Sequence, residues 1–270
     1  MRYKNRTEKS AITRMQKHYN TEKNDSNVAI VIGASSRIAA SLIERMCHDK
    51  SFTEIIAISR NFSENYQSQP IGNISRFRCD YSEESIRKIC EKLKSHQGKI
   101  SHVIICNGTL HNNKIQPEKR LEDIKPENLH EVFQVNAIIP MLWIKYLKPV
   151  LVKEQSCVVT AFSARIGSIE DNRRGGWYAY RASKAALNML VKTASIEYER
   201  LAKGVRFLVF HPGTTDTPLS KPFQKNVGQD KLFHPEFVAN QLFSLIEPVN
   251  RDGICKSIQF LAWDGSKVPW

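Results

Sequence analysis

From Asn27 to Trp263, short continuously apolar runs alternate with longer amphipathic stretches, and this alternation restricts the architecture more than any other feature. A run such as VAIVIGAS (Val28–Ser35) is apolar at every position before its small-residue end. Such a run suits a strand covered on both faces, as in a parallel sheet. Further strands are expected at Glu54–Arg60, Ile74–Asp80, His102–Gly108, Cys157–Ala164, Val205–Gly213 and Ser257–Trp263. Helical spacing fills the gaps at Ile38–Met46, Ser82–Ser95, Leu129–Leu147, Trp177–Leu201 and Pro235–Ile246. The second of these starts on serines able to cap it, and the third should break or bend near Pro140. Repeated βα units of this kind predict an α/β fold: a doubly wound parallel sheet of about seven strands with helices on both faces. No repeat or linker interrupts the pattern. Residues 27–270 are therefore expected to form one domain, with residues 1–26 a polar, basic, mobile extension.

Charge and cysteines narrow the classes further. The formal net charge is +13 over 270 residues, and residues 1–24 carry seven Lys/Arg against two Glu. There is no zinc-finger spacing, RNP signature or basic zipper, so the charge reads as a basic soluble surface and no nucleic-acid partner is expected. No apolar run approaches the roughly 18 residues of a membrane span. The N-terminus lacks the hydrophobic stretch of a secretory signal, and Glu8 and Glu22 argue against a mitochondrial transit segment. A cytoplasmic protein without membrane contact is the expectation. The cysteines, Cys47, Cys79, Cys90, Cys106, Cys157 and Cys255, are scattered and form no CxxC pair. They read as buried reduced thiols, and no metal site is expected.

In such a sheet a ligand sits beyond the carboxyl ends of the strands, where strand order reverses. The first βα turn, Gly33–Ala39, ends the first strand on small residues. Gly33 permits the tight turn, and the hydroxyls of Ser35 and Ser36 can donate to phosphate oxygens at a helix N-terminus. Arg60 follows the second strand, where a basic side chain suits a 2′-phosphate; a solvated surface charge is the plainer reading. Asp80 follows the third strand and can accept from an adenine amino group, cap the next helix, or both. Cys106–Gly108 ends the fourth strand on residues that allow close ligand approach.

The sharpest signal is YAYRASKAALNML, Tyr178–Leu190. Tyr180 and Lys184 are four apart, so a helix puts both on one face. An ammonium beside a phenol should lower the phenol pKa from its usual value near 10, making Tyr180 a proton donor or acceptor near neutrality. The run GSIEDNRRGGWYAYRASKAALN (Gly167–Asn188) and HPGTTDTPL (His211–Leu219) resemble the short-chain dehydrogenase/reductase family, with the likeness extending over nearly the whole chain. It is nearest in look to the carbonyl reductase branch that includes the C-factor-like proteins. The resemblance implies a Rossmann-like fold and NAD(P)(H)-dependent hydride transfer between nicotinamide and a small-molecule carbonyl/alcohol substrate, with Arg60 resembling the 2′-phosphate arginine of members that prefer NADP(H). It implies that Tyr180 is the acid/base and that Lys184 binds the nicotinamide ribose. It implies that Asn136 bends the long helix and holds a water near the lysine. Gly33, Ser35, Ser36, Arg37, Ile38, Arg60, Asp80, Asn107, Gly108, Pro212, Gly213, Thr215 and Thr217 become the candidate cofactor contacts. A homodimer or homotetramer also follows from the resemblance.

The chain departs from the family pattern at several positions. In the glycine loop, Ile32 stands for a threonine, and Arg37 and Ala39 stand for glycines. Arg37 would either obstruct a pyrophosphate or swing out and pair with it. The family's catalytic serine slot holds Ala164, with Ser163 one residue early and Ser168 a second candidate. One residue along a strand is a change of face, which a bulge could undo. A catalytically weak nucleotide-binding sensor is the competing reading. Trp177, Phe223, Phe233, Trp263 and Trp270 read as core, with a substrate pocket as the alternative. Thr214–His234 is the candidate substrate lid.

Overall fold

The computed structural model describes residues 27–62, 73–154, 156–252 and 258–270. The expected extension 1–26, together with Cys255 and Ser257, lies outside the described residues. The strands are β1 (Val28–Ile32), β2 (Glu54–Ser59), β3 (Ile74–Arg78), β4 (Ile100–Ile105), β5 (Cys157–Phe162), β6 (Val205–His211), β7 (Thr214–Thr215), β8 (Leu232–Phe233) and β9 (Gln259–Ala262). Among the described residues, seven of them form one parallel sheet in the order β3-β2-β1-β4-β5-β6-β9.

The unbroken apolar runs have the cause inferred from them. Every residue of β1 is buried, with Val28, Ile30 and Ile32 facing one helical layer and Ala29 and Val31 the other. On the first side pack α2 (Glu83–Leu93), α4 (Ile139–Leu151) and α5 (Tyr178–Leu201), through Ile86, Leu93, Trp143, Leu147, Leu187 and Val191. On the second pack α1 (Arg37–His48) and α6 (Pro235–Asp252), through Leu42, Ile43, Met46, Val238, Leu242 and Ile246. Each such side chain contributes about 1.5–3 kcal/mol of apolar burial, so the doubly covered sheet is the dominant stabilising unit.

Several expected strands end two or three residues sooner than their apolar runs. Gly33, Cys106–Gly108, Ser163–Ala164 and Pro212–Gly213 all leave the ladder at its carboxyl edge. Gly33 does so with φ +80, and a Cβ there would stand 3.0 Å from the carbonyl carbon of Cys106. The turns after β1 and β4 therefore touch where strand order reverses, which opens the crevice the topology calls for.

The long helix departs from α geometry just before Pro140, near where the break or bend was expected. It runs as α3 (Pro126–Phe133), then a π-helical segment at Gln134–Ile138, then α4. Pro140 sits in the first turn of α4, directly after the widened turn. The widened turn carries Asn136, and π-bulges are common at functional sites. The polar segment Thr214–His234 is also more structured than a plain loop. β7 and β8 pair within it, 3₁₀ turns occupy Lys221–Asn226 and Gln229–Lys231, and the Asp216 amide donates to the Phe233 carbonyl at 2.8 Å.

Phe210 is fully buried in β6, edge-on to Phe162. Phe210→Ala is expected to lower unfolding free energy by about 3–5 kcal/mol, read from denaturant midpoints at unchanged slope.

Candidate active site

The first turns of α5 present Tyr180 and Lys184 on one face, beneath the carboxyl end of β5. Lys184 is 3 % exposed, and its Nζ donates to the Phe162 carbonyl at 2.9 Å. Nζ lies 6.0 Å from the centre of the Tyr180 ring. Burial pushes the Tyr180 phenol up to about 12 and pulls the Lys184 ammonium down to about 8. The expected lowering of the Tyr180 pKa is thus reversed. Desolvation dominates both groups, and the lysine spends a proton on a backbone carbonyl rather than on the phenol. At neutral pH the phenol keeps its proton and Lys184 keeps its charge.

Close packing builds the lysine's enclosure. A Cβ on Gly167 would fall 2.7 Å from Lys184 Cβ and 2.9 Å from its carbonyl carbon, so only glycine fits under that helix turn. A Cβ on Gly108 would sit 3.7 Å from Nζ and 3.8 Å from Asn136 Oδ1. Asn136 is fully buried. Its Oδ1 accepts from the Thr109 amide at 2.7 Å, and its Nδ2 donates to the Thr109 carbonyl at 2.8 Å and to Ser183 Oγ at 3.0 Å. Ser183 Oγ donates onward to the Tyr180 carbonyl at 2.9 Å. The π-turn, the loop after β4 and the start of α5 are thereby tied together by one buried amide. Ser183 and Thr109 escaped the sequence reading; the only signal was a small polar residue directly before the lysine.

At the opposite end of the crevice, Ser36 caps α1, its Oγ accepting from the Ala39 amide at 3.2 Å. Ser35 Oγ accepts from Ser59 Oγ at 2.8 Å, leaving its own hydroxyl proton free to donate. The amides of Arg37 and Ile38 have no acceptor among the described residues. Asn107 Oδ1 is buried with no hydrogen-bond partner among them either. Unpaired amides at a helix start and a buried orphan acceptor next to Gly33 fit the phosphates and ribose hydroxyls of a dinucleotide. Ala39 is fully buried in the α1 packing, so its methyl occupies core space and not the turn. The Arg37 side chain is 60 % exposed and points its guanidinium at Asp216, 3.9 Å away, so it has swung clear of the turn. Arg60 is exposed, and its charge reaches the Tyr81 phenol beside Gly33 and Asn107. Asp80 accepts from the amide and hydroxyl of Ser82 at 2.9 and 2.8 Å, and those bonds, with one from Ser85, hold its carboxyl down at about 2. The cap of α2 is Ser82, whose Oγ accepts from the Ser85 amide at 3.2 Å, and Asp80 supports that cap from outside the helix and does not supply it. Gly213 has φ +72, and a Cβ there would strike the Phe233 ring at 2.6 Å. Pro212 and Thr215 close the same turn through a 3.5 Å bond from Thr215 Oγ1 to the Pro212 carbonyl. Thr217 follows, its amide donating to Ser220 Oγ at 3.3 Å.

A family model described as enoyl-(acyl carrier protein) reductase matches residues 54–267, well over half of the chain. This chain is a short-chain dehydrogenase/reductase. It is 25 % identical over 248 residues to the 1-hydroxy-2-glutathionyl-2-methyl-3-butene dehydrogenase of Rhodococcus sp. (strain AD45), covering 90 % of this chain and 100 % of that relative. It is 31 % identical over 150 residues to C-signal of Myxococcus xanthus, covering 56 % of this chain and 83 % of that one. The solved structure of an NADPH-bound carbonyl reductase from chicken fatty liver has the same fold, with a TM-score of 0.75 at 20 % identity over 91 % of this chain and 99 % of that one. The chain is accordingly an oxidoreductase of this family.

The serine position is where this dehydrogenase/reductase is unusual. Ser163 is 4 % exposed, and its Oγ donates to Asn188 Oδ1 at 2.6 Å, so its proton is already committed. Ser168 turns toward the C-terminus, its Oγ contacting the Trp270 carbonyl at 3.4 Å and accepting from the Asp171 amide. Ala164 starts the turn between them. Some of the aromatics do gather at Tyr180. The Trp177 ring lies 6.3 Å from that of Tyr180 and 4.8 Å from Phe223, and His111 stacks edge-on to Phe223 at 5.5 Å. Phe233 and Trp263 instead pair at 4.4 Å behind Gly213, and Trp270 packs on Phe260. Burial raises the thiols of Cys79, Cys106 and Cys157 and takes Cys90 up to about 12, so none of these is a nucleophile at neutral pH.

Gly167→Ala is expected to push Lys184 off the Phe162 carbonyl, costing about 1–3 kcal/mol of stability as an overpacked core does and reducing turnover of the folded enzyme. Denaturation and steady-state rates check both.

Proposed function

We propose that this enzyme is a cytoplasmic, NADP(H)-dependent carbonyl reductase, with residues 27–270 as its single domain. The observation that carries the proposal is Tyr180 on the same helix face as the enclosed Lys184, whose Nζ lies 6.0 Å from the Tyr180 ring centre. Bound NADPH would supply the hydride that the carbonyl carbon receives. Tyr180 Oη gives its proton to the carbonyl oxygen, so the product alcohol gains one hydride and one proton. The Lys184 ammonium, charged at neutral pH, offsets the developing phenolate and orients the ribose. Asn136 keeps the loop after β4 in register with both. Backbone amides of Arg37 and Ile38, the hydroxyls of Ser35 and Ser36, and Asn107 hold the phosphates and ribose. Arg60, with Arg37 free to turn from Asp216, supports a 2′-phosphate and thus NADP(H) over NAD(H). The chicken carbonyl reductase of the same fold binds NADPH in its solved structure, which supports that reading. Asp80, Gly108, Pro212, Gly213, Thr215 and Thr217 complete the proposed cofactor contacts. Met189 and Ile196, exposed seven apart on α5, suit a homodimer or homotetramer contact.

A second reading is favoured by one observation, the committed hydroxyl of Ser163. Without a serine donor on the carbonyl oxygen, rate typically falls by about 10²–10³-fold. The protein would then serve as a weakly catalytic NADP(H)-binding sensor.

Fluorescence titration of the full chain is expected to show saturable NADPH binding tighter than NADH, with Arg60→Ala weakening NADPH about tenfold or more. Tyr180→Phe should leave that binding intact and reduce carbonyl turnover by about 10²–10⁴-fold. Binding without turnover, indifferent to Tyr180→Phe, would select the sensor. No binding of either nucleotide would end both readings.

A further inference from the structure

Glu118 lies in the loop between β4 and α3, far from the catalytic helix in sequence, and is 2 % exposed. Its backbone carbonyl accepts from the Trp177 amide at 2.5 Å. Its Oε2 accepts from the Ala179 amide at 3.2 Å, while Oε1 is buried with no hydrogen-bond partner among the described residues. The helix needs this outside help. Its N-cap is Trp177, which makes no side-chain capping bond, and its first turn has no acidic residue. A carboxylate at a helix start is favoured by the free amides and the dipole, and here it comes from another segment.

The same contact holds an unusual backbone. Gly175, Gly176 and Trp177 take φ +64, +66 and +55 in succession. Glycine adopts this region freely, but a bulky residue there is strained, and such strain persists only where the surroundings impose it. Gly176 is favoured there by its φ of +66, since a Cβ on it would make only ordinary contact, 3.5 Å from the Glu118 carbonyl oxygen. The left-handed turn sets the direction of the Trp177 ring, and that ring joins Tyr180 to Phe223.

We propose that Glu118 is a positioning residue for substrate. Its main-chain carbonyl holds the Trp177 amide and its carboxylate anchors the Ala179 amide two residues on, and the carboxylate anchor keeps Trp177 in its left-handed conformation and so fixes the Trp177–Phe223–His111 wall beside Tyr180, against which a carbonyl compound bearing a flat apolar ring would lie. This rests on the reading of Tyr180 as proton donor. The clamp acts on the substrate side of the site and leaves the nucleotide crevice alone.

The test uses the full chain with Glu118→Ala and Glu118→Gln, with benzaldehyde and butanal as probes. Amide hydrogen exchange at residues 177–179 reads the clamp without turnover, and steady-state rates read its effect. In Glu118→Ala, exchange at 177–179 should quicken about tenfold or more. KM for benzaldehyde should rise about tenfold, with kcat, KM for butanal and NADPH affinity each within about threefold of native. Glu118→Gln, which keeps an oxygen acceptor, should restore both. If Glu118→Ala does not fold, Glu118→Ser is judged by the same criteria. Unchanged exchange, or faster exchange with an unmoved benzaldehyde KM, or equal losses for both aldehydes, would overturn the proposal. Failure of the Tyr180 reading is distinct: Tyr180→Phe would then be as active as native whatever exchange reports.

Discussion

The hydrogen bond from Lys184 Nζ to the Phe162 carbonyl is the constraint on which the rest of the site depends. A lysine is almost never fully buried without a partner. Here it is accepted because Phe162, the last ladder residue of β5, offers it a carbonyl. Gly167 supplies the room under the helix turn, and Asn136 fixes the loop that faces Nζ. Enclosure then sets the charges, holding Lys184 down at about 8 and Tyr180 up at about 12. A protonated phenol beside a charged ammonium suits the direction in which a carbonyl accepts a proton.

The unusual glycine loop follows from where its side chains go. The methyl of Ala39 is absorbed by the α1 packing, and Arg37 turns to Asp216. That ion pair is exposed and worth little by itself, so it is easily exchanged for a phosphate. Lys221, also 3.9 Å from Asp216, places a further cation at the same mouth. The turn itself, with free amides at Arg37 and Ile38, is untouched by either substitution.

Much of the fold was legible because both faces of the sheet are covered, which makes β1 an unbroken apolar run and leaves β4, β5 and β6 mostly apolar. Strand ends were less legible, since Cys106, Ala164 and Pro212 are as apolar as the ladder they leave. The Tyr180–Lys184 pair was legible from helical spacing. Its electrostatics were not, because spacing reports nearness and not burial, and desolvation reversed the expected shift. The break in the long helix was assigned to Pro140 because proline is the residue that ordinarily ends helices. The π-turn lies just before that proline and carries Asn136, where the family resemblance puts the bend; the Asn136 side chain pairs with both backbone groups of Thr109. Ser163 sits at the end of β5 as anticipated, but its bond to Asn188 crosses to a helix that no local pattern connects to it. Glu118 was invisible for the same reason: its partners are remote in sequence.

The central claim is that Lys184 is buried enough to titrate near neutrality while remaining charged at physiological pH. The direct measurement is an NMR pH titration of lysine ε-carbon signals in the full chain, with Lys184 assigned from its loss in Lys184→Met. The account predicts a midpoint of about 8, with the ammonium present below it and lost above it. A midpoint above about 10, where solvated lysines titrate, would contradict the enclosed site and the charge states drawn from it.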